Sequence, residues 1–121
     1  MISAWVDGGS RGNGTATAQA YGYYLIEGDT LVQFGFGLGT NNEAELKAFI
    51  ELLRALRVWY PVDEITIHVD SANVIGWVTG AFKVRTERLR VLVLQAQQLL
   101  EPLDAKLVKV SGDEMKKVLG H

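Results

Sequence analysis

Cysteine is absent from the 121 residues and proline occurs only twice. Without cysteine there is neither a disulfide framework nor a thiolate metal centre, so any metal must be held mainly by oxygen, with two histidines as the nitrogen alternatives. Long apolar runs are missing too. No segment approaches the roughly 20 uninterrupted apolar residues of a membrane helix, and the opening MISAWVDGG has no basic region followed by an apolar stretch. These absences set the expectation of a soluble, unsecreted, cytoplasmic protein with no membrane partner. Nor is there a large excess of one charge: the net value of −2 argues against a general polyanion binder.

What is present is a chain with 48% apolar side chains, which fits one compact domain over residues 1–121. Its charge is unevenly spread. Residues 1–82 hold four basic and nine acidic side chains, whereas 83–121 hold eight basic and five acidic. The densest basic stretch, Lys83-Val84-Arg85-Thr86-Glu87-Arg88-Leu89-Arg90, reads equally as a solvated helix start or as a phosphate-contacting patch.

Alternation over Ile2 to Val6 predicts a strand that ends at Asp7 and a glycine-rich turn, Gly8-Gly9-Ser10-Arg11-Gly12-Asn13-Gly14. Gln19 to Ile26 and Leu31 to Phe36 are two more strands around the hairpin composition Glu27-Gly28-Asp29-Thr30. After Gly39 the period changes to 3.6, and 43–59 reads as a helix with a polar stripe of Glu43, Lys47, Glu51 and Arg54. Glu45 lies off that stripe. It begins the apolar face of Ala48, Phe49, Leu52, Leu56 and Trp59, so its carboxylate is expected to point inward. Glu64 to Val69 is a fourth strand closed by Asp70. A short helix over 72–79, a longer one over 87–100 with Leu89, Leu92, Ala96 and Leu99 inward, and a strand over 106–110 complete the pattern.

Two helical crossovers imply parallel strand pairs, so the first and fourth strands should end at one edge of the sheet. As neighbours about 4.8 Å apart they would bring Asp7 and Asp70 close, and Glu45 could join them from the helix packed on that sheet. Three carboxylates in one cleft repel one another and tend to protonate unless a cation is present; hard oxygen ligands suit Mg²⁺ or Mn²⁺. Each acid has a structural reading as well. Strand-end aspartates often serve as turn or capping residues, and Asn42 with Glu45 reads as an N-cap with an acid at its third position. It is the joint occurrence of the three that favours a metal site.

At these residues the sequence resembles the type 1 ribonuclease H family. The resemblance rests on Asp7-Gly8-Gly9-Ser10-Arg11-Gly12-Asn13-Gly14, Thr40-Asn41-Asn42-Glu43-Ala44-Glu45-Leu46, His68-Val69-Asp70-Ser71, and Gly80-Ala81-Phe82-Lys83-Val84-Arg85, the last similar to the connection of the handle-less subgroup. It implies an α/β ribonuclease H-like fold: a five-stranded mixed sheet in the order 3-2-1-4-5 with helices on both faces. It also implies a monomeric endonuclease that hydrolyses the RNA strand of RNA–DNA hybrids, leaving 5′-phosphate and 3′-hydroxyl ends. Asp7 would bridge two Mg²⁺ or Mn²⁺ ions, with Glu45 and Asp70 on the leaving-group side, an arrangement suited to in-line displacement at phosphorus. Gly8, Gly9 and Ser10 would approach the RNA, and Asn13, Thr40, Asn41 and Asn42 the backbone and minor groove. The asparagines equally suit turns and caps. Double-stranded RNA is a further partner to consider. The competing readings are a DNA-acting nuclease of the same superfamily and a hybrid-binding module without efficient turnover.

The chain departs from the family at its end. A fourth acid is expected on a final helix, but counting from the last strand puts Met115 at the family's asparagine and Leu119 at its acid. A second register takes Gly120-His121 as the preceding loop, with the helix absent. Asp113, Glu114 and His121 are the candidates for a replacement ligand. His68 reads as a packed histidine, and Trp77 and Phe82 either pack a short helix or stack on a nucleic-acid strand.

Overall fold

The computed structural model describes residues 1–120; His121, one of the candidate ligands, lies outside the described residues. The chain runs β1 (Ile2–Arg11), β2 (Gln19–Ile26), β3 (Val32–Leu38), α1 (Asn41–Trp59), β4 (Glu64–Val69), α2 (Ala72–Thr79), α3 (Glu87–Leu100), β5 (Asp104–Lys109), α4 (Gly112–Leu119). The five strands form one mixed sheet in the order β3-β2-β1-β4-β5. The first three make an antiparallel meander, and β1–β4 and β4–β5 are parallel, as the crossovers require. Among the described residues no helix is long and apolar enough to cross a membrane.

The core lies on one face of the sheet. Ala4, Val6, Ile65, Ile67 and Val69 point toward α1, whose Leu46, Phe49, Leu52, Leu53 and Leu56 are fully buried. Side chains of that size each contribute roughly 1.5–3 kcal/mol on burial. Helix α1 also contacts α3, so it is apolar on two sides rather than along one stripe. This corrects two expectations. Glu43, read as part of the solvated stripe, is only 5% exposed, and Trp59, read as core, is 73% exposed in the last turn. In α3, Val93 joins Ala96 as the most buried position.

The glycine-rich segment does not end the first strand. Gly8, Gly9, Ser10 and Arg11 continue β1 and pair with Gly22, Tyr21, Ala20 and Gln19. The parallel pairing with β4, by contrast, stops at Val6↔Val69. Beyond that point β1 is held by β2 alone, and Asp7 sits at the first position past the seam. Between β2 and β3 the register slips at Ala20/Tyr21, so Phe36 is an extra residue in β3. The last strand spans Asp104–Lys109 rather than 106–110, and β3 runs on to Leu38.

The chain end also differs from one of the two registers considered. A helix, α4, does follow β5, capped by the Ser111 hydroxyl at Glu114 N–H and closed by Gly120 in the left-handed conformation. It contacts β1 and β2, and Met115 and Leu119 are 1% and 5% exposed. Helices therefore cover both faces.

Gly8 sets the distance between sheet and helix. A Cβ there would stand 2.6 Å from the Ala44 carbonyl oxygen and 2.8 Å from the Glu45 nitrogen. Backbone meets backbone at that point, so neither side can yield cheaply. Gly8→Ala should lower the stability by about 1–3 kcal/mol in urea denaturation. Gly35→Ala, which meets nothing within 4 Å, should cost far less.

Candidate functional site

Three elements deliver three acids to one place. Asp7 follows the last parallel pair on β1, Asp70 follows the same pair on β4, and Glu45 lies in the first turns of α1, which Gly8 allows to rest on β1. The cap of α1 is Thr40, not Asn42: its hydroxyl accepts from Glu43 N–H at 3.3 Å and lies 3.4 Å from Glu43 Oε1. The capping acid is thus Glu43. Glu45, read as a possible capping partner, is left free of that task, and its Oε2 is buried with no hydrogen-bond partner.

The electrostatics follow from this crowding. Asp7 is pushed up to about 6, first by burial and then by the charge of Asp70, whose carboxyl lies within hydrogen-bonding reach. The Gly8 N–H, donating to Asp7 Oδ1 at 2.9 Å, and the Lys116 ammonium act the other way. Glu45 is pushed up to about 7, again mainly by burial, with Asp70 and Asp7 adding repulsion and the Ser71 hydroxyl opposing it. Ser71 does two jobs: its oxygen caps α2 by accepting from Val74 N–H at 3.1 Å while its hydrogen serves Glu45.

These donors suit a hard divalent cation. They are oxygen only, they are mutually repulsive, and one of them has a buried oxygen without a partner. They do not form a finished cage: among the described residues no three His, Asp or Glu side chains are arranged to chelate one ion. Asp7 and Asp70 instead turn toward each other.

Beside the acids lies a cleft lined by Asn13, Gly14, Thr40, Asn41, Asn42, Glu43, Glu45, Thr86, Arg88 and Leu89. It gathers four of the expected substrate-contact residues with one of the acids. Asn13 reaches it because its Oδ1 accepts from Asn41 N–H at 3.1 Å, tying the β1–β2 loop to α1. Gly8, Gly9 and Ser10 do not line it. Gly8 makes room for α1, Gly9 for the Tyr21 phenol, and the Ser10 hydroxyl donates to the Gly39 carbonyl at 2.8 Å. Thr86 and Arg88 enter the cleft from the start of α3; only their place in the basic run hinted at this.

Asn42, Thr86 and Leu89 also border a second groove with Asn73, Trp77, Phe82, Lys83 and Arg85. The two grooves share residues and form one path carrying Lys83, Arg85 and Arg88. Phe82 lies over Gly76, where a Cβ would collide with its ring, yet remains 46% exposed. Arg88 pairs with the buried Glu43 at 3.3 Å and Arg90 with Glu87 at 3.0 Å. His68 stacks on Trp5 with centroids 4.8 Å apart, and its Nδ1 bonds the Ala4 carbonyl at 2.9 Å, in keeping with a packed histidine. Asp113 and Glu114 are exposed in the first turn of α4, where negative charge suits the helix dipole.

A five-stranded mixed sheet with acids at the β1–β4 seam and α1 laid across it defines the ribonuclease H-like class. The RNase H family model matches residues 2–121, and the chain belongs to that family of nuclease hydrolases. No curated protein matches. Among solved structures, RNase H1 from the halophilic archaeon Halobacterium salinarum is 28% identical, with a TM-score of 0.78 over 95% of this chain and 89% of that one. The N-terminal RNase H domain of Rv2228c from Mycobacterium tuberculosis is 27% identical, with a TM-score of 0.77 over 95% and 90%. LC11-RNase H1, solved in complex with an RNA/DNA hybrid, shares the fold at 23% identity and a TM-score of 0.83 over 97% and 90%. The Halobacterium and LC11 proteins are type 1 enzymes, and the short link between α2 and α3 agrees with the handle-less subgroup.

The raised acids have a consequence for stability. A carboxyl whose proton affinity is higher in the folded chain than in the unfolded one favours folding in its protonated form. Below about pH 4 both states are protonated and nothing is lost; as the pH rises through about 6 to 7 the folded chain must carry the charge. Without metal, these two groups should therefore lower the melting temperature between pH 4 and pH 8. Asp7→Asn and Glu45→Gln should each relieve on the order of 1 kcal/mol at pH 8, a figure reduced for solvent screening. The gain should vanish at pH 4.

Proposed function

We propose that this chain is a divalent-metal endonuclease that hydrolyses the RNA strand of RNA–DNA hybrids, leaving 5′-phosphate and 3′-hydroxyl ends. The observation that carries the reading is the meeting of Asp7, Glu45 and Asp70 at the β1–β4 seam, where each acid has its place fixed by a different element. The hybrid complex of LC11-RNase H1 supports the substrate class for a chain of the same fold.

Asp7, Glu45 and Asp70 are the residues that would hold Mg²⁺ or Mn²⁺. When bound, the ion supplies the positive charge that lets the acids ionise together and stabilises negative charge gathering on a phosphodiester. The chain's own groups do the rest. Burial of Glu45 and Asp7 keeps water from screening their charges, and Ser71 and the Gly8 N–H orient the two carboxylates. Asn13, Thr40, Asn41 and Asn42 offer donors and acceptors to sugar and phosphate from the adjoining cleft, where the exposed Arg88 is paired with Glu43. Lys83 and Arg85 extend that path along the second groove, where Phe82 presents a partly exposed ring to the strand.

The test is cleavage of a labelled hybrid in Mg²⁺ or Mn²⁺, alongside plain double-stranded DNA and double-stranded RNA. The RNA of the hybrid should be cut, and Asp7→Asn should abolish cutting while the protein stays folded. Equal cutting of double-stranded DNA would point instead to a DNA-acting nuclease, and tight hybrid binding without cutting to a binding module. Replacing Lys83 and Arg85 together with alanine should weaken hybrid binding and reduce the slope of log affinity against log salt by about 2, since each side chain neutralises one phosphate.

A further inference from the structure

We propose that the chain carries, at the end of α1 remote from the three acids, a binding site for an alkylated ammonium ion: a cage of Tyr24, Trp59 and Tyr60 with the Asp29 carboxylate at its rim. The site is separate from the cleft and from the reading of the chain as a nuclease.

Tyr24 on β2, Asp29 and Thr30 in the β2–β3 turn, and Trp59 and Tyr60 at the end of α1 line a cavity of about 510 Å³. Ile26, Val32 and Ala55 complete its lining. Ala55 and Trp59 are one turn apart, so α1 presents both to the same side, whereas Arg57, two residues from each, belongs to the opposite side of the helix. The walls are held in place. Tyr60 N–H bonds the Leu56 carbonyl at 2.8 Å where the helix ends, and Asp29 N–H bonds the Ile26 carbonyl at 2.9 Å within the turn. The Tyr24 ring lies against Phe34 with centroids 5.7 Å apart. Glu45 is about 20 Å away, the rise of the fourteen residues that separate it from Trp59 along α1.

The lining selects both the charge and the kind of ligand. Trp59 is 73% exposed, and among the described residues neither a ring nor a cation lies against it. Asp29 is exposed, and among the described residues no lysine or arginine pairs with it; Arg54, one turn before Val58, is taken by Glu51 at 2.7 Å. Burial, and then the charges of Asp29, Asp63 and Glu27, hold the Tyr60 phenol above its usual range, and burial, Glu51 and Asp29 do the same for Tyr24. The cavity thus lies in a negative field, which turns away phosphates and carboxylates and draws a cation. Aromatic faces attract a cation through the ring quadrupole. A primary ammonium or a guanidinium would bring N–H donors that Ile26, Val32 and Ala55 cannot accept, whereas alkyl groups around the nitrogen meet that apolar surface without loss. The chemistry that fits is therefore an alkylated ammonium, carried by a free small molecule or by a modified lysine side chain.

The experiment is calorimetric titration, at fixed ionic strength, of choline and of the neutral alcohol in which carbon replaces the choline nitrogen. A short peptide bearing trimethyllysine and its unmodified twin are titrated in parallel. The proteins are wild type, Trp59→Ala, Asp29→Asn and Val91→Ser, the last a control at an exposed position of α3. An alkylated ammonium should bind wild type saturably at one site, and the neutral alcohol about tenfold more weakly than choline. Trp59→Ala should weaken binding about tenfold and Asp29→Asn several-fold, each variant keeping the cooperative melting of wild type, while Val91→Ser should bind as wild type does. Choline bound more tightly than the methylated peptide would make the ligand a small molecule; the methylated peptide bound more tightly than choline and its own twin would place the ammonium on a protein partner. Either result supports the cage. Saturable binding of neither choline nor the methylated peptide, equal affinity for choline and the neutral alcohol, or wild-type affinity in Trp59→Ala would overturn it. No arm reads cleavage of nucleic acid, so the outcome is independent of the nuclease reading.

Discussion

The contact on which the rest of this structure depends is the one between the first turn of α1 and the backbone of β1 at Gly8. Side chains normally hold a helix off a sheet, and here one missing Cβ lets the helix backbone approach the strand directly. Glu45 is thereby carried down to the level of Asp7. The same approach continues along the strand pair, where a Cβ at Gly22 would meet the Cβ of Ala48. Small residues on both sides thus set the tilt of α1, and the tilt sets the site. The glycine at position 8 is explained by this packing alone, before any approach of nucleic acid is invoked.

Much of this was legible in the sequence because period and chemistry agreed. The five strands, three of the helices and the seam that joins Asp7 to Asp70 all follow from alternation, helical spacing and crossover rules. What escaped had local causes. The glycines after Asp7 read as a turn because glycine is rare in strands, yet β2 supplies Gly22 opposite Gly8 and Tyr21, whose ring needs the space, opposite Gly9, and the pairing continues. Asn42 rather than Thr40 reads as the cap because both residue types cap well, and only the backbone says where the helix begins. The burial of Glu43 needed knowledge that α3 lies over it, with Arg88 Nε 3.3 Å from its Oε2. Thr86 and Arg88 come to the cleft through that same long-range packing, which no window of sequence contains. The end of the chain was ambiguous because eight residues with two inward side chains give too weak a period to choose a register.

The site shows how stability and chemistry pull in different directions within one core. Burial that gives α1 and the sheet their cohesion also raises the proton affinity of Asp7 and Glu45. The acids are held there by elements whose apolar contacts are ample: five large side chains of α1 are fully buried. The remaining repulsion is offset locally, by a backbone N–H at Asp7 and a serine hydroxyl at Glu45.

The slipped register of β3 bears on how copies of this molecule meet. β3 is an edge strand, and a flat edge with free N–H and C=O groups is a template for further strands. Here Phe36 is the extra residue and Gly37 adopts a left-handed conformation, so the hydrogen-bonding row is broken in the middle of the edge. At the opposite edge, β5 carries Asp104, Lys106 and Lys109 exposed. Neither border offers a continuous rung for a neighbour to climb, and the sheet is closed to growth at both margins by geometry on one side and by charge on the other.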